Sequence, residues 1–116
     1  MTYQPGLHIL GEFSAAANLL QSSASSKLFF DQLIDKYQLQ KVGEVYHDFD
    51  NGGFTAVVCL TESHLSIHTW PEFELATFDV FLSNYQKDNS QKVRDLFADV
   101  VAFFKATVIK QQAVVR

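Results

Sequence analysis

Thr61-Glu62-Ser63-His64-Leu65-Ser66-Ile67-His68-Thr69-Trp70-Pro71-Glu72 gathers hydroxyls, two histidines, an indole and two carboxylates into one short stretch. Strands that only hold a fold together rarely carry so many titratable groups. Two chemistries can be weighed from residue types and spacing. The first is metal binding by His64 and His68. On a helix the i, i+4 spacing puts both imidazoles on one face. This stretch alternates apolar and polar with period two, as a strand does, and four residues of strand span roughly 13 Å. Bonds of about 2.1 Å cannot bridge that gap, so no metal is expected here. The second is a Ser-His-acid hydrolase built from Ser63, His68 and Asp79. The chain lacks a Gly-x-Ser-x-Gly elbow and a glycine-rich oxyanion loop, which weighs against it.

The elements around this stretch can be read from periodicity. Phe30, Leu33, Ile34 and Tyr37 follow the i, i+3, i+4, i+7 rule, with Ser25 or Ser26 as the expected N-cap. Val93, Leu96, Phe97, Val100, Val101 and Phe104 make a second stripe. Asp88 or Asn89 would cap it, and Asp88 with Gln91 resembles a capping box. Both stripes are expected to cover a sheet. Strands are predicted over 7–13, 41–49, 54–60, 63–70 and 75–83, with a weaker one over 106–115. Asp50-Asn51-Gly52-Gly53 is a hairpin signal, with glycines available for positive φ. The serine-rich stretch 22–26 reads as a loop leading into the first helix. Strands joined by tight turns predict an α+β two-layer sandwich, an antiparallel β-sheet with two helices packed on one face. Cys59, within an apolar run, is expected to be a buried small hydrophobe.

Composition sets the outer limits. A chain of 116 residues fits one domain over 1–116 and buries roughly 65% of its extended-chain surface. Hydrophobic residues at 47% and charged residues at 19% exclude wholesale disorder. Nine basic against 13 acidic residues argue against a nucleic-acid binder that grips phosphates without regard to sequence. The longest uncharged apolar runs, 56–60 and 100–104, are too short to span a membrane. Met-Thr-Tyr-Gln-Pro has no basic region followed by an apolar stretch, so no secretory signal is expected. One cysteine makes no internal disulfide, and a cytoplasmic location is the default.

The stretch from Glu62 to Glu72 resembles the signature of the small prokaryotic S-adenosylmethionine decarboxylases, pyruvoyl enzymes of polyamine (spermidine) biosynthesis. Gly6-Leu7-His8-Ile9-Leu10 resembles that family's first strand. His47-Asp48-Phe49 with the following glycines resembles its hairpin, and Asp79-Val80-Phe81 the strand after the signature. The likeness covers roughly residues 6–104. It implies that the Ser63 hydroxyl attacks the Glu62 carbonyl and that the chain divides into a β chain, 1–62, and an α chain, 63–116. Ser63 would become a covalent pyruvoyl group, whose ketone condenses with the substrate amine as a Schiff base and withdraws electrons as carbon dioxide leaves. His68 matches the histidine that assists processing by proton transfer. Glu72 matches a glutamate gripping the substrate ribose, and Phe49 an aromatic that stacks on adenine. Thr55, expected with Phe49 and Glu72 among the substrate-binding residues, stands where the family commonly has serine and keeps its hydroxyl. Trp70 and His64 are expected to be packing groups. Two protomers are implied, with active sites that borrow residues across a homodimer.

The chain departs from the family at two further places. Ser83-Asn84 stands where the family has a catalytic cysteine, usually followed by glycine, that donates a proton to the decarboxylated carbon and takes part in processing. A thiol titrates near 8.5, and a serine hydroxyl is a far weaker acid. Phe73-Glu74-Leu75 replaces aromatic-Gly-Tyr and adds a carboxylate near the expected substrate wall. Three functions therefore stand. One is an S-adenosylmethionine decarboxylase with another proton donor. Another is a pyruvoyl-dependent arginine or ornithine decarboxylase, with Glu74 favouring a cationic side chain. The third is a non-catalytic regulatory homologue.

Overall fold

A computed structural model describes residues 2–116. In chain order the elements are β1 (Leu7–Ser14), a short 3-10 turn (Ala17–Leu19), α1 (Ala24–Lys36), β2 (Lys41–Asp48), β3 (Phe54–Leu60), β4 (Ser63–Trp70), a second 3-10 turn (Pro71–Phe73), β5 (Leu75–Leu82), α2 (Ser90–Phe103) and β6 (Thr107–Val115). Six antiparallel strands form one sheet in the order β2-β3-β4-β5-β1-β6. Both helices cover the same face, giving the expected two-layer α+β arrangement.

Alternation explains which face is covered. Phe54, Ala56, Val58 and Leu60 on β3, Leu65 and Ile67 on β4, and Ala76, Phe78, Val80 and Leu82 on β5 are all buried. They meet the helical stripes through ring contacts such as Phe30–Phe78 and Phe78–Phe97. α2 crosses β1 at Gly11, where a Cβ would come within 2.4 Å of the Phe97 ring. Only a bare backbone allows that approach. Among the described residues no helix covers the other face. Val45 is 67% exposed and Leu10 and Val57 are each 40% exposed on it.

Several expectations need correction. Cys59 is exposed, because its parity in β3 puts it with Thr55 and Val57 on the uncovered face. An apolar run does not reveal that only one of its sides is covered. The first helix begins two to three residues earlier than the expected caps, with Ser23 at the N-cap. Its hydroxyl turns away from the helix to donate to Asp48. The expected capping box is not formed: Gln91 donates to Asp95, and Asp88 accepts the Ser90 N–H. β2 and β5 each end one residue short of the expected limit, leaving Phe49 and Ser83 outside the sheet. Among the described residues no helix is long and apolar enough to cross a membrane.

Candidate active site

β3 and β4 are joined by the two-residue turn Thr61-Glu62, because Leu60 pairs with Ser63. Ser63 opens β4 with φ 151°, which side-chain-bearing residues rarely adopt. Such a conformation costs about 1–3 kcal/mol and persists only where neighbours enforce it. One enforcing contact is visible. The Glu62 carbonyl accepts the backbone N–H of Ser83 at 2.7 Å. This carbonyl belongs to the Glu62–Ser63 peptide, the bond the serine would attack. A donor on its oxygen withdraws electrons from the carbon and stabilises negative charge forming there, as an oxyanion-hole donor does.

Ser83 follows directly from β5, whose last residue, Leu82, pairs with Ser63. Its own carbonyl accepts from Asn89 Nδ2 at 2.8 Å. Gly6 passes against its main chain so closely that a Cβ would meet Leu82 O at 2.4 Å and Ser83 Cα at 3.0 Å. Ser83, Asn84 and residues 2–4 line an open recess of 610 Å³.

A second group lies at the far end of β4. Thr55 and His68 face one another across β3 and β4, and the Thr55 hydroxyl shares a hydrogen bond with His68 Nδ1. They line a cleft of 340 Å³ with Phe49, Asn51 and Trp70. Phe49 is 48% and Trp70 39% exposed, so both offer open ring surface. Trp70 is therefore a wall of the cleft rather than the packing group expected. Glu72, just beyond it in the turn after Pro71, accepts from Asn51 Nδ2 at 2.8 Å. Glu74 is exposed and lies outside the residues that line this cleft. Its φ of 49° explains the glycine that the resembled family carries at this position, since left-handed backbone favours glycine. The departure is first a matter of backbone.

Within one chain the two groups stay apart. Five residues separate Ser63 from His68 along β4, about 16 Å of strand. Phe49, Thr55, His68 and Glu72 thus assemble together, while Glu62, Ser63 and Ser83 assemble elsewhere.

Between them sits a cluster that residue spacing did not reveal. Asp79 on β5 receives Ser66, and it bonds His8 Nε2 at 2.8 Å and His64 Nε2 at 3.2 Å. Burial pushes its carboxyl up, but the bonds from Ser66, His8 and His64 outweigh this and hold it below its ordinary value. The ligand-type atoms of His8, His64 and Asp79 lie within 4.8 Å of one another. Both rings turn Nε2 onto the same carboxylate oxygen, so the trio is tied together by hydrogen bonds. It clamps β1, β4 and β5 one residue beyond Ser63. His64 is thus a strand brace, and His8 and Asp79 are its partners.

The family model described as S-adenosylmethionine decarboxylase matches residues 7–116. The S-adenosylmethionine decarboxylase proenzyme of Archaeoglobus fulgidus is 39% identical over 77 residues, 66% of this chain and 69% of the relative. The proenzyme of Thermoplasma acidophilum is 30% identical over 112 residues, 96% of this chain and 82% of the relative. The crystal structure of the adenosylmethionine decarboxylase from Aquifex aeolicus superposes with a TM-score of 0.86 at 27% identity, covering 99% of this chain and 92% of that one.

Proposed function

The chain belongs to the S-adenosylmethionine decarboxylase family of carboxy-lyases, and from that premise we propose that it is a proenzyme. It cuts itself between Glu62 and Ser63 and then decarboxylates S-adenosylmethionine. The observation that carries this reading is the Ser83 N–H seated on the Glu62 carbonyl, beside a Ser63 with φ 151°. In the first step the Ser63 oxygen bonds to the Glu62 carbonyl carbon and the peptide C–N bond breaks. The proton lost by the hydroxyl passes to the freed amine, leaving an ester. Loss of the Ser63 α-proton then expels the Glu62 carboxylate and separates a β chain, 1–62, from an α chain, 63–116. Water replaces the nitrogen of the new terminus, ammonia leaves, and residue 63 becomes pyruvoyl. Cleavage also relieves the strained backbone at Ser63, because the peptide that defines its φ no longer exists.

The residues at Ser63 fit this group. A serine is present, its acyl neighbour is polarised, and the strand behind it is braced by Asp79. Once formed, pyruvoyl supplies a carbonyl that withdraws electrons from the substrate carbon losing carbon dioxide. The chain's own side chains bind and move protons. Phe49 and Trp70 offer ring faces for adenine in the 340 Å³ cleft. Glu72 offers two oxygens to the ribose hydroxyls. Thr55 orients His68 through Nδ1, leaving Nε2 to carry a proton during processing. On this reading Ser83 takes the position of the family's proton-donating cysteine, with a hydroxyl that is a far weaker acid than a thiol.

The separation within one chain calls for a second copy. A homodimer of cleaved protomers, joined through the uncovered sheet face, brings the Phe49–Thr55–His68–Glu72 group of one subunit to the Ser63 end of the other. Its compartment on this reading is the cytoplasm.

Mass measurement of freshly purified protein under denaturing conditions tests the proposal, followed by carbon dioxide release from carboxyl-labelled S-adenosylmethionine. Two chains with a pyruvoyl mass on the second, and label release, are expected. Ser63→Ala should remain one chain. Release from arginine or ornithine instead would move the substrate. An intact wild-type chain would leave a regulatory homologue.

A further inference from the structure

Asn89 is 1% exposed and occupies the N-cap of α2. A capping asparagine ordinarily turns its side-chain oxygen onto the first N–H groups of its helix. Here the side chain makes no capping bond. The Ser90 N–H goes to Asp88 Oδ1 at 2.9 Å instead. Asn89 Nδ2 reaches backwards to the Ser83 carbonyl at 2.8 Å, and its own N–H donates to Asn84 Oδ1 at 2.7 Å. Asn84 Nδ2 in turn donates to the Pro5 carbonyl at 2.9 Å. The buried amide is thus turned away from its helix and spent on one residue after β5.

That residue is the one whose N–H holds the Glu62 carbonyl. The Ser83 N–H continues the β4–β5 bonding pattern one step past the Ser63–Leu82 pair, whereas the Ser83 carbonyl is held by the Asn89 amide, with Gly6 packed close against the Leu82–Ser83 main chain. We infer that Asn89, with Asn84 as its support, is a positioning residue for self-cleavage: it holds Ser83 so that the Ser83 N–H stays on the scissile Glu62 carbonyl while the ester forms. Asn89 touches no reacting atom and acts through Ser83. The inference rests on the self-cleavage proposed above. It concerns only ester formation, the step in which charge develops on the Glu62 oxygen.

Asn89→Asp isolates the effect. It keeps the shape and remains a good N-cap, but it puts an acceptor where Ser83 needs a donor. Losing an oxyanion donor outright costs about 100- to 1000-fold, so a donor pushed off line should slow cleavage at least about tenfold. The assay follows the appearance of chain 63–116 in freshly made protein, with and without hydroxylamine, which cuts an accumulated ester. Folding is checked by melting the variant in a Ser63→Ala background. Expected is slow cleavage that hydroxylamine does not accelerate, with a melting temperature near that of Ser63→Ala alone. Wild-type speed in Asn89→Asp overturns the inference while leaving self-cleavage standing. Slow cleavage that hydroxylamine restores also overturns it, because ester formation was then intact. If Asn89→Asp melts early, Asn84→Ala gives the milder displacement, with a smaller delay expected and an unchanged rate counting against the assignment. A wild-type chain that never cleaves defeats both proposals together.

Discussion

Asp79→Ala removes the acceptor shared by Ser66, His8 and His64. The cost can be worked from their surroundings. His8 is 7% and Ser66 9% exposed, so neither gains a full water shell when the carboxylate goes. Each buried donor left unpaired costs about 1 kcal/mol or somewhat more. His64 is more open and recovers part of its loss from solvent. The total is about 3 kcal/mol, or a fall in melting temperature of about 12 °C for a domain of this size. Asp79→Asn keeps one acceptor oxygen and should fall about half as far. The measurement is thermal unfolding at fixed protein concentration in a Ser63→Ala background, so that every sample is a single chain. The sign with pH follows from the lowered carboxyl. Its stabilisation is complete above the ordinary value of 3.8 and is lost as pH falls through the folded-state value. The gap between Asp79 and Asp79→Ala should therefore be widest near neutrality and close in strong acid. A loss below 3 °C at pH 7, or a gap that widens on acidification, would refute the view that this carboxylate clamps three strands.

Two other outcomes follow from the same geometry. Glu74→Gly relieves a φ of 49° and should raise the melting temperature by about 3 °C, read by calorimetry. Phe49→Ala removes an open ring face from the cleft, where stacking on a base contributes about 1–3 kcal/mol; steady-state kinetics should show KM raised about tenfold or more while the rate of chain cleavage is unchanged.

Much of the scaffold was legible because its signals are local. Phe30, Leu33 and Ile34 mark α1, and 54–60 and 63–70 were bounded to the residue because turn residues flank them. Pairings that join distant segments were not. Nothing near Leu7–Ser14 indicates that β1 inserts between β5 and β6, so the meeting of His8 with Asp79 was invisible. The misplacement of Cys59 has the same origin: sequence shows an apolar run, but which of its faces receives the helices is decided by the whole sheet. Ser23 and Asn89 sit at helix N-caps yet send their side chains to Asp48 and Ser83, a choice made by tertiary neighbours. In the candidate site the residue types stood out through their density between Glu62 and Glu72. Their division into two groups some 16 Å apart needed the strand to be straight.

On the proposed reading Ser83 would act in two separable ways, one through its backbone and one through its side chain. The backbone N–H polarises the Glu62 carbonyl at 2.7 Å whatever side chain residue 83 carries. Replacing cysteine by serine there leaves the cleavage machinery with its donor. Proton delivery to the product carbon is different, because it draws on the acidity of the side chain, and a thiol near pKa 8.5 gives up its proton far more readily than an alcohol. Ser83→Cys should therefore leave the half-time of self-cleavage within about twofold. Turnover of S-adenosylmethionine by the cleaved enzyme should rise tenfold or more, since proton transfer by a positioned group contributes about 100- to 10,000-fold. The two rates are read on one preparation, cleavage by mass and turnover by released carbon dioxide. Equal acceleration of both would mean that the side chain, not the amide, drives cleavage. A fall in turnover would mean that the recess of Thr2, Tyr3 and Asn84 is shaped around a hydroxyl, and that the proton comes from another group.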